Sequence, residues 1–268
     1  LFVRSPRAIA LTPAGRDLLP VAERVVKEFA AFHASLRRLR SEEDQYLHIG
    51  GASYTIELPE RYDLIDGFVR EHPKCTLRVD PRSQPEIIAS VEEGELDVAI
   101  ILGYGVDRVR YDAYTRRARP SHGLYPTDLR AIVVERRPVQ ILIPAEWPLA
   151  AKSAIAPEDL RGLAVAMIDI DNAPPLFEPL AAHLESGGAI ITVPPEGIPI
   201  GVERYGRQNR VAAISIGFYP PTISVEKLLV PRPIEGFSAT TDLVVLASHG
   251  ETRTLVERFL NYAKRASV

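Results

Sequence analysis

Sulfur and indole are scarce in this chain: its 268 residues hold one cysteine, one methionine and one tryptophan. With Cys75 alone, an internal disulfide and a cysteine-built metal site are both excluded, and a cytoplasmic setting fits. No apolar run approaches the roughly 18 residues of a spanning helix, and no signal-peptide pattern opens the chain. The formal net charge of −3 argues against a protein coated with nucleic acid, while leaving room for a small basic module. Catalytic signatures are missing as well. There is no G-x-S-x-G elbow, no P-loop and no H-E-x-x-H pair. Gly103-Tyr104-Gly105 lacks the third glycine and the helix start of a dinucleotide fingerprint. His183 and Glu185 are not followed by the paired cysteines of a zinc deaminase, and Asp169 and Asp171 lack calcium-loop spacing. An enzyme is therefore the weaker class, and no cofactor or metal is expected.

What is present is apolar and patterned. Apolar residues make up 46% of the chain and charged residues 25%, which suits a sizeable core and excludes disorder over most of it. The length exceeds one typical core, so at least two compact units are expected. Thr12 is placed to cap a helix whose first position is Pro13. Beyond it Leu18, Ala22, Val25, Phe29, Phe32, Leu36 and Leu39 recur at alternating spacings of four and three, the a/d seam of a coiled coil. Charged residues cover the other faces, so the seam points to pairing with a second helix. The alternative is an amphipathic helix lying on its own domain. Ser41-Glu42-Glu43-Asp44-Gln45 reads as a linker.

From Tyr46 the texture turns to α/β. Strands are expected at Tyr46–Gly50, Cys75–Asp80 and Leu96–Leu102, the last almost wholly apolar as in a parallel sheet covered on both faces. The helix between the first two should bury Leu58, Tyr62, Ile65, Phe68 and Val69 and stop at His72-Pro73. Ser83-Gln84-Pro85-Glu86 has capping-box spacing for the next helix. Strand, helix, strand, helix, strand is a doubly wound unit. Gly103–Tyr125 reads as a long loop, and a second α/β series follows from Leu129. The closing helix should bury Leu255, Val256, Phe259, Leu260 and Ala263. In such sheets ligands meet the loops beyond the carboxyl ends of the strands. Ser53, Tyr54 and Thr55 follow the first strand, and Ser83 and Gln84 the second. Hydroxyl and amide groups at helix starts suit an anionic or hydroxylated ligand; ordinary helix capping is the competing use of the same residues.

Leu1-Phe2-Val3-Arg4, Arg7 and Leu11-Thr12-Pro13-Ala14-Gly15 resemble the wing and linker-helix start of LysR-type transcriptional regulators. Leu58-Pro59, Phe68, His72-Pro73 and Gly94-Glu95-Leu96-Asp97-Val98-Ala99-Ile100 are similar to that family's effector domain. Ile143-Pro144-Ala145-Glu146-Trp147-Pro148-Leu149-Ala150 looks like its segment just past the first domain crossover. The resemblance implies an α/β, two-lobed effector domain like the type II periplasmic binding proteins, preceded by a long linker helix. It divides the chain into a wing remnant at 1–11, a dimerisation helix at 12–45, a first lobe at 46–136 with 232–268, and a second lobe at 137–231. The implied partners are a small-molecule inducer between the lobes, a second copy in a homodimer or homotetramer, and DNA. Arg4 and Arg7 match wing positions that touch DNA.

The chain opens at Leu1, inside the wing, so the expectation is a fragment without its recognition helix, holding DNA weakly. With two lobes, the cleft's opposite wall should come from Asp171, Asn172, Ile198 and Pro199, again after strands and near helix starts. Asp171 and Glu196 leave charge selectivity open. The departures from the family are a Gly103–Tyr125 stretch longer than usual and a missing second glycine in Gly206-Arg207-Gln208-Asn209-Arg210-Val211. A free-standing type II solute-binding protein is the alternative, with an enzyme on the same scaffold behind it.

Overall fold

The computed structural model describes residues 1–5, 8–40, 45–105, 129–172, 174–218, 228–251 and 253–267. Strands β1 (Phe2–Ser5) and β2 (Ala8–Leu11) pair antiparallel and lead into the helix α1 (Pro13–Arg40). Its start is built as the sequence suggests: Thr12 Oγ1 accepts the Gly15 N–H at 3.1 Å. Pro20 inside the helix removes one backbone donor. Among the seam positions whose side chains are described, Leu18, Ala22, Val25 and Phe32 are exposed, Phe32 at 57%. The helix therefore does not lie on its own domain along that stretch. The side chains of Phe29, Leu36 and Leu39 fall outside the described set.

Two five-stranded sheets follow. The first has the order β4-β3-β5-β12-β6, from β3 (Tyr46–Ala52), β4 (Thr76–Arg82), β5 (Val98–Gly105), β6 (Leu129–Pro138) and β12 (Thr240–Ser248). The second has the order β11-β7-β10-β8-β9, from β7 (Gln140–Pro144), β8 (Ala164–Ala166), β9 (Ile190–Thr192), β10 (Ala212–Ser215) and β11 (Leu229–Arg232). The chain passes from one sheet to the other at Val139 and returns between Arg232 and Thr240. The two crossings touch, since the Val139 N–H donates to the Ala239 carbonyl at 2.9 Å.

Period-two burial places the first sheet between two layers. Val98, Ile100, Leu102, Leu243 and Val245 face one core with helices α2 (Pro59–Glu71) and α6 (Thr254–Ala266). Ala99, Ile101, Val244 and Leu246 face the other, which also holds Ile87 and Val91 of helix α3 (Gln84–Glu92). The sheet is mixed rather than all parallel. β5 runs parallel to β3 but antiparallel to β12, which arrives from the far end of the chain. That pairing also carries β5 through Gly103 and Tyr104, where a loop is expected; residues 106–125 of the expected loop lie outside the described set.

The buried stripe of α2 differs from its apolar pattern. Leu64 and Phe68 are buried, whereas Tyr62 and Val69 are exposed. The reason is close helix packing at Gly67, where an added Cβ would stand 1.9 Å from the Tyr262 hydroxyl of α6. The approach of α6 centres the contact on residues 64, 67 and 68. Helices α4 (Pro174–Ser186) and α5 (Pro199–Asn209) belong to the second sheet, and α5 packs on β10, β7 and β8.

Candidate functional site

A cavity of about 520 Å³ opens between the carboxyl ends of the two sheets. On the first-sheet side β3 and β4 run parallel with Ala52 opposite Arg82, so both strands end at the same level. The chain leaves β3 through a single turn at Ser53–Thr55, and leaves β4 straight into α3. Ser53 and Tyr54 from the first exit, and Arg82, Ser83 and Gln84 from the second, line the cavity. The Tyr54 hydroxyl donates to Gln84 Oε1 and ties the two exits together.

Thr55 stands apart. It is fully buried, donates to the Ala52 carbonyl at 2.6 Å and accepts from the Arg61 guanidinium at 2.7 Å, so its hydroxyl holds the turn instead of lining the cavity. Burial pulls the Arg61 pKa below its ordinary value. Ser83 is engaged by helix capping. Glu86 accepts its backbone N–H at 3.0 Å and its hydroxyl at 2.7 Å. Arg82 is likewise held, donating to Ser90 Oγ at 2.8 Å and pairing with Glu95 at 3.5 Å.

The opposite wall is apolar. Ile198, Pro199 and Ile200 come from the start of α5, Ile168 follows β8, Phe177 belongs to α4, and Ile216 follows β10. Asp171 and Asn172 sit in a short turn at Ile170–Asn172; Asp171 is exposed and does not line the cavity, its N–H bonded to Asp169 Oδ1 at 3.0 Å, and the Asn172 side chain lies outside the described residues. The helix after them starts at Pro174, and Phe177 near its start borders the cavity.

Sequence reasoning also misses Leu102 and Tyr104 at the end of β5, which complete the cavity between the two walls. The Tyr104 ring meets Phe177 edge-on, with centroids 6.1 Å apart, and burial pushes its phenol pKa up. The apolar walls carry no polar signal in the sequence. Only their position just after strand ends could mark them.

Behind the second wall, on α5, lies Glu203. It accepts the Ser215 hydroxyl, and Ser215 Oγ accepts the Gly217 N–H at 3.0 Å. Burial pushes the Glu203 carboxyl up to about 7, partly offset by Ser215 and Arg207. Among the described residues no cluster of His, Cys, Asp or Glu is placed to hold a metal ion, and no helix is long and apolar enough to cross a membrane.

The profile of the LysR substrate binding domain matches residues 51–193, more than half of the chain and including both cavity walls up to Phe177. Among curated proteins, a probable hydrogen peroxide-inducible genes activator of Mycobacterium xenopi is 32% identical over 105 residues, 38% of this chain and 53% of the relative. Its counterpart in Mycobacterium avium is 26% identical over 171 residues, 63% of this chain and 48% of the relative. The chain thus spans about half the length of the curated relatives it matches. Among solved structures, the C-terminal domain of a probable LysR family regulator from Rhodococcus sp. RHA1 superposes with a TM-score of 0.60 at 18% identity, covering 82% of this chain and 98% of that domain. That likeness is one of fold.

Proposed function

The chain belongs to the LysR substrate-binding-domain family, and on that premise we propose that its inter-sheet cavity receives a small-molecule effector whose binding is passed to DNA through an oligomer. The observation that carries this reading is the cavity itself. It is walled by strand-end residues of both sheets, between which the chain crosses near Val139 and Ala239. A ligand touching both walls favours one arrangement of the lobes over another, and a ligand can shift only an equilibrium that it distinguishes. Ser53, Tyr54, Ser83, Gln84, Ile198 and Pro199 are the proposed contacts from the expected set; Thr55 supports the turn from behind. The lobes are taken as 46–136 with 232–268, and 137–231, after a linker helix at 12–45.

The protein is read as a cytoplasmic regulator and a binding protein, not an enzyme. The 28-residue α1, with Val25 and Phe32 exposed, favours a regulator that pairs with a second copy over a free-standing solute-binding protein. Arg4 and Arg7 as wing contacts to DNA rest on the resemblance alone; Arg7 and the Arg4 side chain lie outside the described residues. The peroxide response for which the mycobacterial relatives are named finds little support in these residues. Cys75 is the one cysteine, burial pushes its thiol pKa up, and it does not line the cavity.

A thermal-shift screen of the 268-residue chain against small metabolites tests the reading. A compound at a hundred times its dissociation constant stabilises by about 2.7 kcal/mol. Its shift should shrink in Ser53→Ala and Gln84→Ala, each with roughly tenfold weaker binding. A screen without hits, or hits indifferent to both substitutions, removes the effector role from this cavity.

A further inference from the structure

Resting on the reading of the cavity as an effector site, we propose that its ligand is an amphiphile, with one hydrogen-bonding head held by the first lobe and a hydrocarbon body packed against the second. The two walls divide the chemistry. Among the described residues, every lining side chain of the second lobe is apolar: Ile168, Phe177, Ile198, Pro199, Ile200 and Ile216. The donors and acceptors after β3 and β4, namely Ser53, Tyr54, Glu57, Arg82, Ser83 and Gln84, all belong to the first lobe, where Glu57 favours a head that donates as well as accepts.

A ligand with polar groups at both ends would strip water from one of them and find no side-chain partner for it among the described residues of the second wall. That is a large loss for a hydroxyl and a larger one for a charge. A hydrocarbon end faces no such loss. It also covers apolar surface that the protein leaves wet, since Ile198 on the second wall is 46% exposed. Tyr104 stands where the walls meet, its ring against Phe177, and its hydroxyl forms no hydrogen bond to another described residue. A phenol kept neutral by burial can donate to an acceptor near the middle of such a ligand, but in neither protonation state does it carry the positive charge that would hold a second anionic group. The volume of about 520 Å³ lies within the usual range for small-molecule sites.

The test is calorimetric titration of the full chain with butanoate, hexanoate and octanoate, with octanamide as the neutral-headed probe and octanedioate as the two-headed one. Affinity should rise about fourfold per methylene in the series whose head is accepted, the ordinary gain for burying that group. Octanedioate should bind at least tenfold more weakly than octanoate or octanamide. Ile198→Ser, at a half-exposed position, should weaken the eight-carbon probe several-fold without lowering the melting temperature of the free protein, because serine is a favoured cap at this helix start.

Binding that is flat with chain length, or octanedioate or gluconate binding as tightly as octanoate, overturns the amphiphile while leaving a ligand-binding cleft. Octanoate binding unchanged by both Ile198→Ser and Gln84→Ala puts the probe outside the cavity and overturns it too. If none of these probes binds, the amphiphile is rejected; the effector role falls with it only if the metabolite screen is also empty.

Discussion

Arg136 on β6 grips Asp242 on β12 with two parallel bonds, Nε to Oδ1 and Nη2 to Oδ2, both 2.7 Å. The two residues stand opposite each other in the antiparallel ladder. Asp242 is fully buried, while the arginine is more than half exposed. The pair lies just before the crossing at Val139 and just after the return crossing, so it clamps together the two strands from which the second lobe is hung.

Removing the cation from this clamp should cost more than any surface ion pair. Arg136→Ala leaves a buried carboxylate short of its bidentate partner, with an expected loss of about 3 kcal/mol or more. Replacing both, as Arg136→Met with Asp242→Leu, should recover most of it, because no buried charge then remains. Urea unfolding of the three proteins checks this. A single variant as stable as the parent would show the clamp to be without weight.

The exposed seam of α1 makes a second prediction. Val25 and Phe32 are 63% and 57% exposed, a poor place for such side chains in an isolated helix. Val25→Glu with Phe32→Glu should shift the chain from dimer toward monomer in light scattering, since two charges would enter the seam without partners. The unchanged helix propensity of glutamate keeps the helix itself intact. A parent chain that is monomeric at every concentration would remove the seam's role.

Local pattern goes far where one face of an element decides its burial. The closing helix is an example, with Leu255, Val256, Phe259, Leu260 and Ala263 all buried as its period predicts. It fails where a distant neighbour decides. The partner of Leu102 across β5 is Leu243, and nothing near either residue reveals that β12 fills the middle of the first sheet. Tyr62 and Val69 are misjudged on α2 because the packing face follows Gly67, whose lack of a side chain counts for nothing in an apolar pattern. The site shows the same division. Ser53, Tyr54, Ser83 and Gln84 are legible because hydroxyl and amide groups after strands are conspicuous. Ile168 and Phe177 are almost wholly inaccessible and read as ordinary core, although both border the cavity. Asp171 is conspicuous for the same reason as Ser53, but its exposed side chain does not line the cavity.

A third prediction concerns the missing glycine after α5. Arg210 ends that helix in the left-handed region, at φ 55° and ψ 45°, where a side chain is strained and glycine is not. Its ion pair with Glu146, at 3.6 Å between exposed groups, offsets little of that. Arg210→Gly should therefore stabilise the chain by up to about 1 kcal/mol, whereas Arg210→Val should destabilise it by a comparable amount. Melting temperatures moving in the opposite order would mean that the arginine has contacts worth more than the strain.

The last prediction follows from Glu203. Its carboxyl titrates at about 7 in the folded chain against an ordinary value of 4.5, because burial disfavours the charged form. The folded state therefore binds this proton more tightly than the unfolded state does. The resulting contribution to stability is fully present below about pH 4.5, declines as pH rises, and is lost above about pH 7. Over that window the group withdraws roughly 3 kcal/mol, reckoned from the two pKa values as an order of magnitude. Glu203→Gln keeps an acceptor for the Ser215 hydroxyl and removes the titration, so its melting temperature should exceed that of the parent at pH 8 and the difference should shrink at pH 5. Because α5 begins with the cavity residues Pro199 and Ile200, the same substitution should flatten any rise or fall of cleft affinity between these two pH values. Parent and variant melting curves that run parallel from pH 5 to 8 would show that the proton on Glu203 does not report on folding.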